Sequence, residues 1–409
     1  MILQIPGGVY FGGHPEAWRR RLTIPDAGRV YLHVPRDLSH TPLCEKGEPV
    51  RIGSPVAAFE DGSYLYATVS GTFDGFFMLR DELYAGITDN TQRMAIPVME
   101  PETRPLQDIP KDDLLNAAQT LGIIDTRRGR PLWKTLAARP EDARRILVDL
   151  TDAVAWSFTN YAFALQNMQD ILGGAKVLCS LLNAAKIVLI TDAARQKVKK
   201  AVQEQTADES LFSVAEVGAR YPVCDRTLMA AIYNQTSAAA LEKMFFVSGQ
   251  TCAALFRGLM TGFAHTEQIL TAAGPGFESP CVVQVPYGTT WKTILRFCGF
   301  KGDPFVTHVN SPVNGSPSVG ICRPEQDCVF AIGKTAKNPG RCLSCGLCAD
   351  ACPAGLRPFR ILTAKHYETV KEMTSKCLQC GCCSYVCPSN IPLEAMIGKY
   401  IGREGDGHA

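Results

Sequence analysis

The chain has 409 residues, 46% of them hydrophobic and 20% charged, with a formal net charge of +2. That length suits two to four domains with sizeable cores. The near-neutral balance argues against a nucleic acid or another partner engaged by bulk charge, and the basic runs at 19–21 and 197–200 read as solvated faces.

The opening Met-Ile-Leu-Gln-Ile-Pro-Gly-Gly lacks a charged n-region, a long apolar core and a cleavage site, so no export signal is read there. The longest uncharged stretches, 153–169 and 304–322, are too short or too rich in Pro, Gly, Asn and Ser to span a bilayer. Any work at a membrane is therefore expected to go through a partner. Seventeen cysteines without an export signal point to a reducing, cytoplasmic setting in which thiols stay free.

Residues 1–100 are rich in Gly and Pro, with short alternating runs at 29–35, 56–59 and 64–69 that read as strands. The segment from Gly47 to Val56, followed by Thr68-Val-Ser-Gly-Thr-Phe, resembles the barrel-sandwich of biotinyl and lipoyl carriers. No lysine stands at the hairpin where a carrier would be modified, so the expectation is a scaffold. A proline-rich linker at 100–110 follows.

From 111 to 240 the texture changes to α/β. Asp112 or Asp113 is expected to cap a helix that Gly122 ends. Strands are expected at 145–150 and 186–192, and helices at 158–172, closed by Gly173-Gly174, and at 193–205. Strands alternating with helices imply a parallel sheet. Residues 241–256 read as mostly helical, 281–290 as a strand and turn, and 291–297 as a helix ended by Gly299. A strand–helix–strand unit of that size, within 241–310, suggests a β-grasp. A loop-rich connector at 311–340 leads to a helical ferredoxin-like domain at 341–409. There a helical connector at 362–375 should turn Ile361, Leu362, Tyr367 and Val370 inward.

The most specific signal lies in that last domain. Arg341-Cys-Leu-Ser-Cys-Gly-Leu-Cys-Ala-Asp-Ala-Cys-Pro and Cys377-Leu-Gln-Cys-Gly-Cys-Cys-Ser-Tyr-Val-Cys-Pro both fit C-x₂-C-x₂-C-x₃-C-P. This is the run that holds cubane [4Fe–4S] clusters, the fourth cysteine serving the other cube. Cys342, Cys345, Cys348 and Cys387 are therefore assigned to one cluster, and Cys377, Cys380, Cys383 and Cys352 to a second. Cys382 is a spare thiol, while Gly346 and Gly381 should let the backbone approach the sulfides. A pair of zinc sites is the competing reading of C-x₂-C pairs. Cys322 and Cys328, six apart, form at most a further half-site. The seven dispersed histidines show no metal spacing.

On these residues the chain resembles the C subunit of Rnf-type NADH:ferredoxin oxidoreductase complexes, which pump ions, and more distantly the flavin subunit of respiratory complex I. The second cysteine run with its tail Pro388-Ser-Asn-Ile-Pro-Leu carries the resemblance furthest. Gly12-Gly-His-Pro-Glu is similar to the family's opening segment. Phe246-Val-Ser-Gly-Gln-Thr, Thr271-Ala-Ala-Gly-Pro-Gly and Val285-Pro-Tyr-Gly-Thr look like the approach to, and body of, its soluble-ligand-binding β-grasp (SLBB) domain. The resemblance implies a flavin mononucleotide (FMN) and an NADH site in the α/β domain, and the motifs depart from the family there. Where the family has a G-x-G-G-A-x-F-P loop, this chain has Gly122-Ile-Ile-Asp-Thr-Arg-Arg-Gly-Arg-Pro-Leu-Trp, keeping only Gly122 and Gly129. Asp149-Leu-Thr-Asp replaces an E-C-E-P run, and Asn310-Ser-Pro-Val-Asn-Gly stands at a third loop. Arg127, Arg128 and Arg130 offer the alternative of holding a phosphate by charge.

The expected function is an iron–sulfur electron-transfer subunit with two [4Fe–4S] clusters and a degenerate FMN site. It would relay single electrons between a ferredoxin or flavoprotein and other subunits of a complex. The setting is cytoplasmic, peripheral to a membrane complex or inside a microcompartment. The alternatives are a complete FMN-dependent NADH dehydrogenase module, a microcompartment-type corrinoid reductase, and an assembly protein whose clusters only stabilise the fold.

Overall fold

The computed structural model describes residues 2–3, 7–10, 21–138, 143–152, 156–218, 220–222, 243–302, 307–310, 313, 315–318, 320–331, 338–364, 370–371 and 375–401. The Gly12–Glu16 motif, Tyr367 and most of the 362–375 connector lie outside them.

At the centre is a five-stranded, all-parallel sheet in the order Ile2–Leu3, Phe212–Val217, Lys186–Asp192, Arg145–Asp149, Met244–Ser248. Its strands are near-continuous apolar runs because helices cover the faces. Ile146, Val148, Ile187, Leu189, Phe245 and Val247 share one core with the helices Thr159–Leu181 and Gly249–Thr261. The chain order reverses between Arg145–Asp149 and Met244–Ser248, which makes that pair the topological switch point.

A second, mixed sheet runs Ser316–Pro317, Thr307–Val309, Cys328–Ala331, Glu267–Ala273, Cys281–Pro286, Arg21–Thr23. The helix Trp291–Phe297, capped by the Thr290 side chain on the Thr293 N–H, packs Trp291, Ile294 and Leu295 into its core. Near the N-terminus a four-stranded and a three-stranded antiparallel sheet share the apolar cluster of Val30, Leu32, Val56, Phe59, Phe73 and Ile87. The described part of residues 341–401 includes the short helices Leu347–Asp350, Cys382–Tyr385 and Leu393–Ile401 and a 3₁₀ turn at Pro358–Leu362. Among the described residues no helix is long and apolar enough to cross a membrane.

Local structure departs from the sequence reading at several points. Pro110, not an aspartate, stands at the cap of the helix Lys111–Thr120; Asp112 and Asp113 occupy its first turn, where negative charge suits the helix dipole. Residues expected as helix from 241 contain the buried strand Met244–Ser248 before the helix begins. The helix expected to stop at Gly173-Gly174 runs on to Leu181. A Cβ on Gly174 would come within 1.8 Å of the Cys252 carbonyl oxygen, and one on Gly173 within 2.6 Å of the Phe256 ring. These glycines therefore permit close packing against Gly249–Thr261 rather than ending the helix. The expected strand at 64–69 is shorter, Tyr64–Tyr66, and the helix after Asp192 begins only at Gln196.

Candidate metal centre

The two cysteine loops follow the same backbone path. Ser344 and Gly346 in the first, and Gln379 and Gly381 in the second, all adopt left-handed φ, between +50° and +83°. Each loop thereby turns an amide onto a sulfur: the Ser344 N–H onto Cys342 Sγ and the Gln379 N–H onto Cys377 Sγ, both at 3.4 Å. Gly346 and Gly381 both occupy left-handed turn positions that favour glycine.

Cys352, from the first run, lines one cavity together with Cys377, Cys380, Cys382 and Cys383 from the second. Four of those five are the set expected for one cluster. The Leu356 N–H also points at Cys352 Sγ, at 3.4 Å. Cys342 and Cys345 are exposed, Cys348 is buried and Cys387 is half-buried. Cys348, Cys352, Cys377, Cys383 and Cys387 all belong to one small apolar cluster with Leu356, Ile361 and Ile397.

Sulfurs around one tetrahedral zinc, at about 2.3 Å each, would stand only roughly 3.8 Å apart. Cys352, Cys377, Cys380 and Cys383 around one cavity, with amides turned onto Cys352 and Cys377, suit a cubane. Burial pushes the Cys377 thiol up, and pushes Cys383 up to about 12; a metal bound there would hold such thiols as thiolates. Cys380 is held low, at about 7, by the hydrogen bond it receives from the Cys382 thiol.

Cys322 and Cys328 are both buried but lie in different apolar clusters, Cys322 accepting from Gln268 Nε2 at 3.0 Å and Cys328 beside Phe330. Sequence reasoning missed the residues that grip the two loops from outside the domain. Tyr221 Oη donates to the Cys380 carbonyl at 2.9 Å, and the Gly8 N–H donates to Ala351 O at 3.0 Å.

The other candidate site is the crevice at the C-terminal ends of the parallel strands, where ligands of such sheets bind. Here a hairpin made of Ile124–Asp125 and Arg130–Pro131 reaches into the switch point. Thr126 Oγ1 hydrogen-bonds Ser248 Oγ at 2.7 Å. Arg127 pairs with Asp149, the last residue of its strand, and stacks 4.1 Å over the Phe246 ring. Arg128 pairs with the fully buried Asp125 and donates to Phe246 O at 3.1 Å. Arg130 Nε donates to Thr135 Oγ1 at 3.1 Å. Gly122 and Gly129 are both left-handed turn positions, at φ +61° and +62°. A Cβ on Gly129 would strike Glu325 Oε2 at 2.4 Å.

Behind this hairpin lie further buried carboxylates. Asp152 accepts from the Asn160 N–H at 2.8 Å and faces Arg195 at 3.6 Å; burial raises its pKa. Asp327 is pushed up to about 6, by burial first and then by Asp152. Asn310 accepts from the Asp327 N–H at 3.1 Å and donates to Glu325 O at 3.1 Å, while Ser311, Pro312 and Asn314 lie outside the described residues.

Residues 341–391 match the 4Fe-4S dicluster domain family. The chain is 23% identical to the C subunit of the proton-translocating ferredoxin:NAD(+) oxidoreductase complex of Clostridium ljungdahlii, across 91% of this chain and 87% of that protein. It is 22% identical to the C subunit of the ion-translocating oxidoreductase complex of Methanosarcina acetivorans, across 83% and 82%. With the corresponding protein of Pectobacterium carotovorum the identity is 28%, but over 47% of this chain and only 27% of that protein. Among solved structures, the NAD+-reducing [NiFe]-hydrogenase in its H2-reduced state aligns with a TM-score of 0.48 and 12% identity, covering 73% of this chain and 61% of that one. Along about nine-tenths of its length, this chain is similar to the C subunits of ion-translocating oxidoreductase complexes, and its residues 341–391 match a 4Fe-4S dicluster domain.

Proposed function

We propose that this chain is an iron–sulfur relay subunit, passing single electrons through two [4Fe–4S] clusters between a redox partner and another subunit of an Rnf-type complex. Cys342, Cys345, Cys348 and Cys387 would hold one cube, and Cys377, Cys380, Cys383 and Cys352 the other. The observation that carries this reading is the shared cavity of Cys352 with Cys377, Cys380 and Cys383, since a relay needs two cubes held side by side. When bound, each cube accepts and gives up one electron. The chain's own part is to supply thiolates, aim amides at them and keep the second set half-buried.

On this reading the N-terminal sheets, the parallel sheet and the β-grasp-like unit around 267–298 are docking scaffold. The domain layout would be 1–100, 111–240, 241–310, 311–340 and 341–409, although the strand Met244–Ser248 belongs with the parallel sheet. Partners would be a ferredoxin or flavoprotein and other complex subunits, with membrane contact only through them, on the cytoplasmic side. Retention of FMN is disfavoured. A flavin phosphate at the switch point would displace the Arg127–Asp149 and Arg128–Asp125 pairs and meet buried carboxylates, where the family offers glycine amides. The dehydrogenase and corrinoid-reductase readings both need that flavin, and are disfavoured with it.

Protein purified without oxygen should carry about eight iron and eight sulfide per chain. It should show broad iron–sulfur absorbance bleached by dithionite and release no flavin on denaturation. Stoichiometric FMN, or about two zinc in place of iron, would defeat this reading.

A further inference from the structure

The two cysteine loops are repeats offset by 35 residues in sequence, with the same backbone path, yet the rest of the chain treats them differently. Position 382 of the second loop corresponds to 347 of the first. Cys382 is 0% exposed, whereas Leu347 is 46% exposed and Leu343 68%. Residues 7–10 and 220–222 form a strap that lies against both runs, Gly7 and Gly8 on the first and Tyr221 on the second. Val9 and Tyr221 form an antiparallel bridge with two hydrogen bonds of 2.9 Å. Arg220 Nη1 donates to Gly7 O at 3.0 Å. Gly7 is left-handed, and a Cβ there would lie 2.7 Å from the carbonyl oxygen of Cys352, a thiol of the same cavity.

Tyr221 sits where the strap meets the sulfurs. Its hydroxyl donates to the backbone carbonyl of Cys380 at 2.9 Å, and its own carbonyl accepts from the Cys382 thiol at 3.7 Å. The single Cys382 proton is shared between that carbonyl and the Cys380 sulfur. One tyrosine thus fixes both the peptide of a cluster ligand and the neighbouring thiol able to donate to that ligand. Among the described residues, no hydrogen bond from outside the domain to Cys345 matches it.

We infer that Tyr221, acting through Cys380 and the non-ligand Cys382, is a positioning residue that sets the reduction potential of the cluster held by Cys352, Cys377, Cys380 and Cys383, making it electronically distinct from its partner. The physical cause is the orientation of dipoles. A hydroxyl proton aimed at the Cys380 peptide, and a thiol proton kept beside the Cys380 sulfur, both favour the extra negative charge of the reduced cube, and hydrogen bonds to cluster sulfurs are an established lever on potential. The inference rests on the two-cluster reading above.

The test is a redox titration of the full chain followed by electron paramagnetic resonance, with the signal of this cluster assigned by its perturbation in Cys377→Ser. In Tyr221→Phe and in Cys382→Ala the iron count should stay near eight. The midpoint of the assigned cluster alone should fall by the equivalent of a threefold to tenfold change in its one-electron equilibrium, about 28 to 59 mV. Cys382→Ser, which keeps a donor, should restore most of the shift seen in Cys382→Ala. Unchanged midpoints at full iron content would overturn the inference. So would an equal shift of both clusters, or iron loss in either Tyr221→Phe or Cys382→Ala, which would make the contact an anchor or Cys382 a ligand. Fewer than eight irons in the unaltered chain would instead remove the two-cluster reading, and this inference with it.

Discussion

His265 shows how a single side chain ties the sheets together and makes the fold depend on pH. Its Nδ1 accepts the Ile124 N–H at 3.2 Å, and its Nε2 faces Tyr287 Oη at 3.2 Å. The first contact requires an unprotonated Nδ1, and burial holds the imidazole down at about 4. In the unfolded chain the same ring titrates near 6.5. Between those values the unfolded state binds more protons than the folded one, so stability falls as pH drops from about 6.5 towards 4. The expected loss is on the order of 1–3 kcal/mol, discounted because part of the residue still meets solvent. Urea unfolding at pH 7 and pH 4.5 should show it, and the slope should flatten in His265→Gln. An unaltered slope would mean that other groups, such as the carboxylates Asp152 and Asp327 with their raised pKa and opposite sign, dominate.

At the scale of elements, the cysteine runs were the most legible part of the chain, because their chemistry is written in local spacing. That same spacing makes a test: Cys387, though next to the second loop in sequence, is assigned to the cube of Cys342, Cys345 and Cys348. Electron paramagnetic resonance of Cys387→Ser should therefore perturb that cube's signal. A change confined to the cube of Cys377, Cys380 and Cys383 would refute the crossing. The strands Arg29–Val34, Arg145–Asp149, Lys186–Asp192 and Cys281–Pro286 were legible for a similar reason, since alternating or continuous β-branched runs bounded by turns have few other uses. What could not be read locally was decided by distant contacts. Gly173-Gly174 resembles a helix stop until the Cys252 backbone is placed against it. The strand Met244–Ser248 has no polar alternation because both its faces are covered, so its run of Met, Phe and Val passes equally for a buried helix. Tyr221 and Cys380 are separated by 159 residues, and no pattern within either segment announces their contact.

For the whole molecule, the question is whether electrons can enter as hydride. A nicotinamide gives up two electrons at once and a cubane takes one, so a flavin must stand between them. The natural seat is the switch point between Arg145–Asp149 and Met244–Ser248. In this chain Thr126 is bonded to Ser248, Arg127 is paired with Asp149 and stacked on Phe246, and Arg128 is paired with Asp125. Freeing the seat would strand Asp125 and Asp149, 0% and 1% exposed at their side chains, without their cations. Breaking a buried pair in that way costs about 3–5 kcal/mol each, more than a phosphate held by two displaced arginines would return at micromolar flavin. The isolated chain is therefore expected to show no NADH-dependent dye reduction, with or without added FMN, while its clusters remain reducible by dithionite. Electrons would then have to arrive already single, from a partner's flavin or a reduced ferredoxin. NADH turnover by the isolated chain, abolished in Arg127→Ala and Arg128→Ala, would show that the two arginines serve a phosphate after all and would return the chain to the dehydrogenases.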